Sequence, residues 1–314
     1  MKRTIRIVAA LFFAVIFTSL FCVNSFAATD TKNIKISMFN KTPIAYSKTT
    51  YGYSGSSDTP EGLCVTGSVI YTTKLHQDTK KATIIKTVIE KDGTVKNIMP
   101  AKVLSLGHAN DLTYYKGYLY TAGLDKKFYR IKDEGLDKNG HEKYSVKAFA
   151  VSGVSLTANW ATYSATTWNI THFTGKYFIF CSAINTSLKM TFRIGYFDES
   201  TSKFVVTKTF YGYSRAFAVL QGIAYRNGRV YMSTSDNGGT GHMNKISEFD
   251  IGTKYKDVVA GKTYTRVNYG TFDDLTLSKW EIEAFDFDSS GKMYVLMNAS
   301  GKKDPIYISK KAIA

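Results

Sequence analysis

The chain has 314 residues, 44% hydrophobic and 21% charged, with 3 Cys and a formal net charge of +16 at pH 7. That balance excludes an intrinsically disordered chain, a collagen-like repeat and a disulfide-stapled miniprotein. Aromatics run to 22 Tyr and 20 Phe against 3 Trp, a bias toward strands over helices.

The N-terminus reads as an address. Lys2, Arg3 and Arg6 precede an apolar run from Ile7 to Val23, and Ser25-Phe26-Ala27 places small residues where a signal peptidase reads. The expectation is a signal peptide over residues 1–27, cleavage after Ala27, and a secreted product that is extracellular or bound to the cell wall. Phe21 is too bulky for a lipobox at Cys22, and no later run reaches ~18 apolar residues. Cleavage removes three basic residues and no acidic one, leaving a charge of +13. Cys64 and Cys181 then remain, too few for a disulfide framework, and their pairing is not favoured.

One hairpin frame then recurs five times along the chain. Glu61-Gly62-Leu63 opens the first copy, Asn110-Asp111-Leu112 the second, Trp168-Asn169-Ile170 the third, Gln221-Gly222-Ile223 the fourth and Ala284-Phe285-Asp286 the fifth. Each reads as an alternating strand, a turn built on Gly67, Gly117, Gly175, Gly228 or Gly291, and a second strand carrying an aromatic. Tight hairpin turns need φ > 0, which glycine adopts without steric cost. The glycines stand 50, 58, 53 and 63 residues apart, with further strand-like runs in the gaps and no helical stripe. Four strands per ~50-residue period predict a five-bladed, all-β propeller with four-stranded blades. It occupies residues 28–314 as a single domain, from about Asn33, with strands near Ile34–Met38 and Ile306–Ser309 completing one blade.

In that geometry the first strand of each hairpin is innermost, and its opening residues meet at one mouth. These are polar: Glu61, His108, Asn110, Asp111, Asn169, Gln221, Glu281 and Glu283. Glu61, His108, Asn110, Asp111, Gln221 and Glu283 are the expected hydrogen-bonding ligand residues. Trp160, Trp168 and Trp280 are the expected stacking platforms for a sugar, with Tyr163, Tyr211 and Tyr213 as weaker ones. The carboxylates Glu61, Asp111 and Glu283 also admit a glycosidase reading, whose outcome would depend on their separation. The fructan-cleaving Asn-Asp-Pro-Asn-Gly motif is absent.

Other motifs carry less. Asp236-Asn-Gly-Gly-Thr-Gly-His242 lacks the ending of a phosphate loop, leaving His242 a weak polar candidate. Asp286-Phe-Asp288-Ser-Ser290-Gly291 resembles half of a calcium loop and reads better as a polar turn. The five histidines show no metal spacing, so neither a metal nor a cofactor is expected. The basic charge points to an anionic cell-wall polymer or glycan as partner, met by a monomer, with no nucleic-acid motif and no integral membrane segment after cleavage.

The inner-strand motifs His108-Ala109-Asn110, Gln221-Gly222-Ile223 and Ile282-Glu283-Ala284, each followed by a hairpin ending in an aromatic, resemble helveticin J-type secreted propellers. That resemblance implies a bacteriocin-like protein directed at bacterial walls. The expected function is therefore carbohydrate or wall-polymer binding through the polar funnel, with no catalytic residue assigned. The alternatives are a glycan-cleaving or bacteriolytic enzyme that uses the same carboxylates, and an adhesin or scaffold.

Overall fold

The computed structural model describes residues 34, 36–48, 58–76, 79, 81–123, 126–153, 168–183, 189–213, 219–235, 244–254, 257–272, 281–299 and 303–313. Among them the protein is all-β, and no helix is long and apolar enough to cross a membrane. The signal-peptide region, Trp160, Tyr163, Trp280 and His242 lie outside the described residues.

The strands form antiparallel meanders in chain order. An isolated strand β1 (Ala45–Lys48) precedes the first meander, β2 (Asp58–Thr66), β3 (Val69–His76), β4 (Lys81–Ile89) and β5 (Val95–Ile98). The second is β6 (Asn110–Tyr115), β7 (Tyr118–Gly123), β8 (Lys127–Leu136) and β9 (Glu142–Ser152). The third is β10 (Trp168–Thr174), β11 (Tyr177–Ala183), β12 (Lys189–Asp198) and β13 (Lys203–Tyr213). The fourth is β14 (Val219–Arg226), β15 (Arg229–Ser235), β16 (Asn244–Asp250) and β18 (Arg266–Phe272), with the short β17 (Thr263–Tyr264) between its last two strands. The fifth runs β19 (Glu281–Phe287), β20 (Met293–Asn298) and β21 (Lys303–Ile308), and β1 supplies its outer edge.

That last point corrects one expectation. The N-terminal edge strand is Ala45–Lys48, paired with β21, while Ile36–Met38 form a 3-10 turn and Phe39 bridges Ser309. Ile34 and Phe39 are instead buried in the apolar cluster between the fourth and fifth meanders.

The first strands of the five meanders neighbour one another in sequence order, and β19 neighbours β2. The apolar core follows the same circle. Five clusters each draw on two adjacent meanders, and one of them joins the fifth to the first through Leu63, Ile70, Ala284 and Leu296. The cluster between the second and third is built on Phe128, Phe178, Phe180 and Phe204, whose rings meet mostly edge-on. Each such ring removes about 1.5–3 kcal/mol worth of apolar surface from water.

Two glycines set how closely the innermost strands approach. A Cβ on Gly62 would lie 2.7 Å from the Asp111 carbonyl carbon, and one on Gly222 would lie 3.1 Å from the Ala284 Cα. Any larger residue at Gly62 would push β2 away from β6. At the periphery, the edge strand β13 pairs in parallel with β9 at one end and with β17 at the other, which covers much of its open edge. Between the first and fifth meanders a buried ion pair, Lys74 Nζ to Asp304 Oδ2 at 2.5 Å, holds β3 to β21. Cys64 and Cys181 are both free and buried.

Candidate functional site

Bulges place the polar side chains. In β2, β14 and β19 the pairing with the second strand slips by one residue between Pro60 and Gly62, between Leu220 and Gly222, and between Ile282 and Ala284. The extra residues are Glu61, Gln221 and Glu283. A bulge removes its residue from the ladder and re-aims its side chain, a device common beside functional sites. This register also corrects the sequence frame: Ala284 corresponds to Gly62 and Gly222, so that Glu283 corresponds to Glu61.

The polar groups form an arc across four of the five innermost strands. Thr59 donates its hydroxyl to Glu61 Oε1 at 2.9 Å, and Glu61 Oε2 lies 3.3 Å from His108 Nδ1. His108 Nδ1 also bonds Asn110 Oδ1. With two acceptor oxygens facing it, Nδ1 carries the ring hydrogen. At the other end of the arc Gln221 donates to Glu281 Oε1, and Asn298 donates to Glu283 Oε1 at 2.9 Å. Glu283 is 6% exposed and Glu61 7%. Burial raises the Glu283 carboxyl well above the usual range, and the charges of Glu281 and then Glu61 raise it further, with Glu281 also accepting its proton in a hydrogen bond. Asn298 opposes the shift.

Asp111 sits elsewhere. It is fully buried with φ +53°, and both carboxyl oxygens accept backbone N–H groups: Leu112 at 2.9 Å and, from β14, Ile223 at 2.7 Å. It ties the second meander to the fourth across the middle of the ring. Asp286 acts similarly, accepting from Phe287 N at 2.8 Å and from Val65 N of β2 at 2.9 Å. Desolvation pushes the Asp286 carboxyl up to about 7. Asp288 Oδ1 accepts from the backbone N–H groups of Ser290 and Lys292, which makes it a turn residue.

Of the predicted site residues, the structure thus joins Glu61, His108 and Asn110 at one end of the arc, and Gln221 and Glu283 at the other. Trp168 lies in β10, and Trp160 and Trp280 lie outside the described residues. Thr59 and Asn298 were not singled out from the sequence. Asn298 sits on the second strand of its hairpin, and only the pairing of Glu281 with Asn298 brings it to the arc. No group of three or more His, Cys, Asp or Glu side chains is arranged to hold a metal ion among the described residues.

No family model matches the chain, and no curated relative does. Among solved structures it is similar to a thermostable family-43 glycoside hydrolase, 9% identical, covering 83% of this chain and 92% of that one at a TM-score of 0.36. It is also similar to a GH43_1 enzyme from Xanthomonas citri complexed with xylose, 10% identical over 85% and 88% of the two chains at a TM-score of 0.40. A third is the catalytic domain of a GH62 alpha-L-arabinofuranosidase from Coprinopsis cinerea, 6% identical over 85% and 94% at a TM-score of 0.40. At these scores the likeness carries no argument about this chain's fold or chemistry.

Proposed function

We propose that the chain is a five-bladed β-propeller, each four-stranded meander forming one blade, that acts outside the cell on a glycan held at the polar arc. In this reading it cleaves a glycosidic bond. The observation that carries it is geometric: the bulges of β2 and β19 bring the buried carboxyls of Glu61 and Glu283 to one arc beside Glu281, where they meet the side chains of Thr59 and Asn298. Burial and the charges of Glu281 and Glu61 raise the Glu283 pKa, which suits it to the role of the acid, with Glu61 as its partner.

The chemistry follows. Glu283 donates its proton to the bridging oxygen as the bond from that oxygen to the anomeric carbon breaks. Glu61 either takes a proton from the water that attacks the anomeric carbon or attacks that carbon itself. Gln221, Asn110 and Asn298 are placed to orient sugar hydroxyls. The five apolar clusters closing in a circle support the propeller.

A panel of plant and bacterial wall glycans, assayed for new reducing ends with the purified protein, tests the reading. Activity that Glu283→Gln abolishes while adsorption persists supports it, and NMR of the released anomer decides the role of Glu61. A protein that neither binds nor cleaves any glycan overturns it. The antibacterial role implied by the helveticin-type resemblance is a separate proposal, read by loss of turbidity in Gram-positive cells.

A further inference from the structure

The hairpin-turn ends of the second and third meanders lie roughly 20 Å from Asn110 along β6. Their side chains take no part in the arc. Tyr115, at the end of β6, stacks on His172 of β10 with ring centroids 4.7 Å apart and planes 16° apart. The exposed Lys116 lies over Tyr115 at 5.3 Å, and the exposed Lys176 lies over Tyr177 and Tyr196 at 5.4 and 4.9 Å. Arg130 covers Tyr118 at 4.6 Å.

The charge balance at this junction is lopsided. Arg130 and Lys147 share the single carboxylate of Glu199, and Lys132 pairs with Glu134. Among the described residues, the ion pairs at this junction include neither Lys116 nor Lys176. A ring face steadies an ammonium without cancelling its charge, whereas a carboxylate would cancel it. These two lysines are therefore held in place with their full charge directed outward.

We propose that this junction is a docking surface for an anionic glycan, one that carries phosphate or carboxylate along a hydrophilic sugar or polyol chain. It is separate from the arc and does not rest on the reading of the arc as a catalytic site. Charge complementarity selects a polyanion. The ring faces are taken by lysines, Arg130 or one another, so no open platform is offered to a nucleotide base. The tyrosines are half-buried, so their rings are not presented as wedges for a lipid surface.

The test measures binding of the purified protein to immobilised poly(glycerol phosphate) and to polygalacturonate, with neutral dextran as the control. The double variant Lys116→Glu/Lys176→Glu should weaken binding to at least one of the two polyanions by at least about tenfold at low salt and make its salt dependence shallower. The matched variant Lys91→Glu/Lys96→Glu, on exposed lysines of the first meander, should change binding less than about twofold. Thermal melting of both variants checks that the fold is kept. Equal losses in the two double variants would show that net charge alone binds the polymer and would overturn the surface. So would unchanged binding in both. Tighter binding to single-stranded DNA or to phosphatidylglycerol vesicles, lost in the Lys116/Lys176 variant, would overturn the glycan as occupant.

Discussion

Two sets of buried carboxyls lie on the innermost strands, and their surroundings differ in kind. Asp111 and Asp286 face backbone N–H groups of other meanders, which consume their oxygens and lock strands together. Glu61 and Glu283 face side chains, and Glu283 also shares a hydrogen bond with Glu281. All three of Asp111, Asp286 and Glu283 have raised pKa values, with burial as the first cause. A raised pKa therefore does not distinguish a structural carboxyl from a chemical one. The partners do: fixed backbone donors spend an acid on architecture, and mobile side chains leave it available.

Removing the structural set should have the largest effect. Asp111→Ala leaves the N–H groups of Leu112 and Ile223 without their acceptor in the interior. It is expected to lose about 2–4 kcal/mol in a urea unfolding curve. Glu283→Gln should change that curve by less than about 1 kcal/mol, because an amide resembles the protonated form that burial favours. The same variant should lower glycan cleavage by at least about 100-fold. If its stability falls as far as that of the Asp111 variant, the two sets are not different in kind.

Changes of pH sharpen the contrast. The Asp286 carboxyl titrates near 7 in the fold against about 4 when exposed. An acid with a raised folded pKa stabilises the fold while protonated, so its contribution is complete below about pH 4 and fades as pH rises through about 7. The melting temperature should drop over that interval, and Asp286→Asn should flatten the drop. A smaller effect is expected of Glu281→Gln. Burial still holds the Glu283 pKa up, but loss of the neighbouring charge lets it fall part of the way, moving the alkaline limb of the activity profile to lower pH. A profile that does not move would separate Glu281 from the acid.

Much of the architecture was legible in the sequence because its signals are local. Alternation and turn glycines are visible within a dozen residues, as at Asn227-Gly228, where φ values of +48° and +81° match a tight hairpin. The fifth copy slipped by one residue in the sequence frame. Its turn runs through residues 288–292, longer than the other turns, and its bulge at Glu283 is invisible to a pattern of alternation. Of the arc, Glu61, His108, Asn110, Gln221 and Glu283 could be named from the first strands alone. Asp111 was grouped with them because sequence does not reveal a positive φ, and that φ turns its side chain away from the arc. The Lys74–Asp304 pair and the bond from Val65 to Asp286 join residues more than 200 positions apart, beyond any local signal.

The fifth sheet takes its outer strand from residues 45–48 and its next strand from residues 303–308. Synthesis delivers the first of these long before the second, so the sheet cannot be completed until residues 303–308 have been made. Until then the faces at both ends of the row stay open to solvent or to a chaperone. Once β21 slots between β20 and β1, the segments before β2 and after β20 are clasped to each other, and opening the circle between the first and fifth meanders means breaking that clasp first.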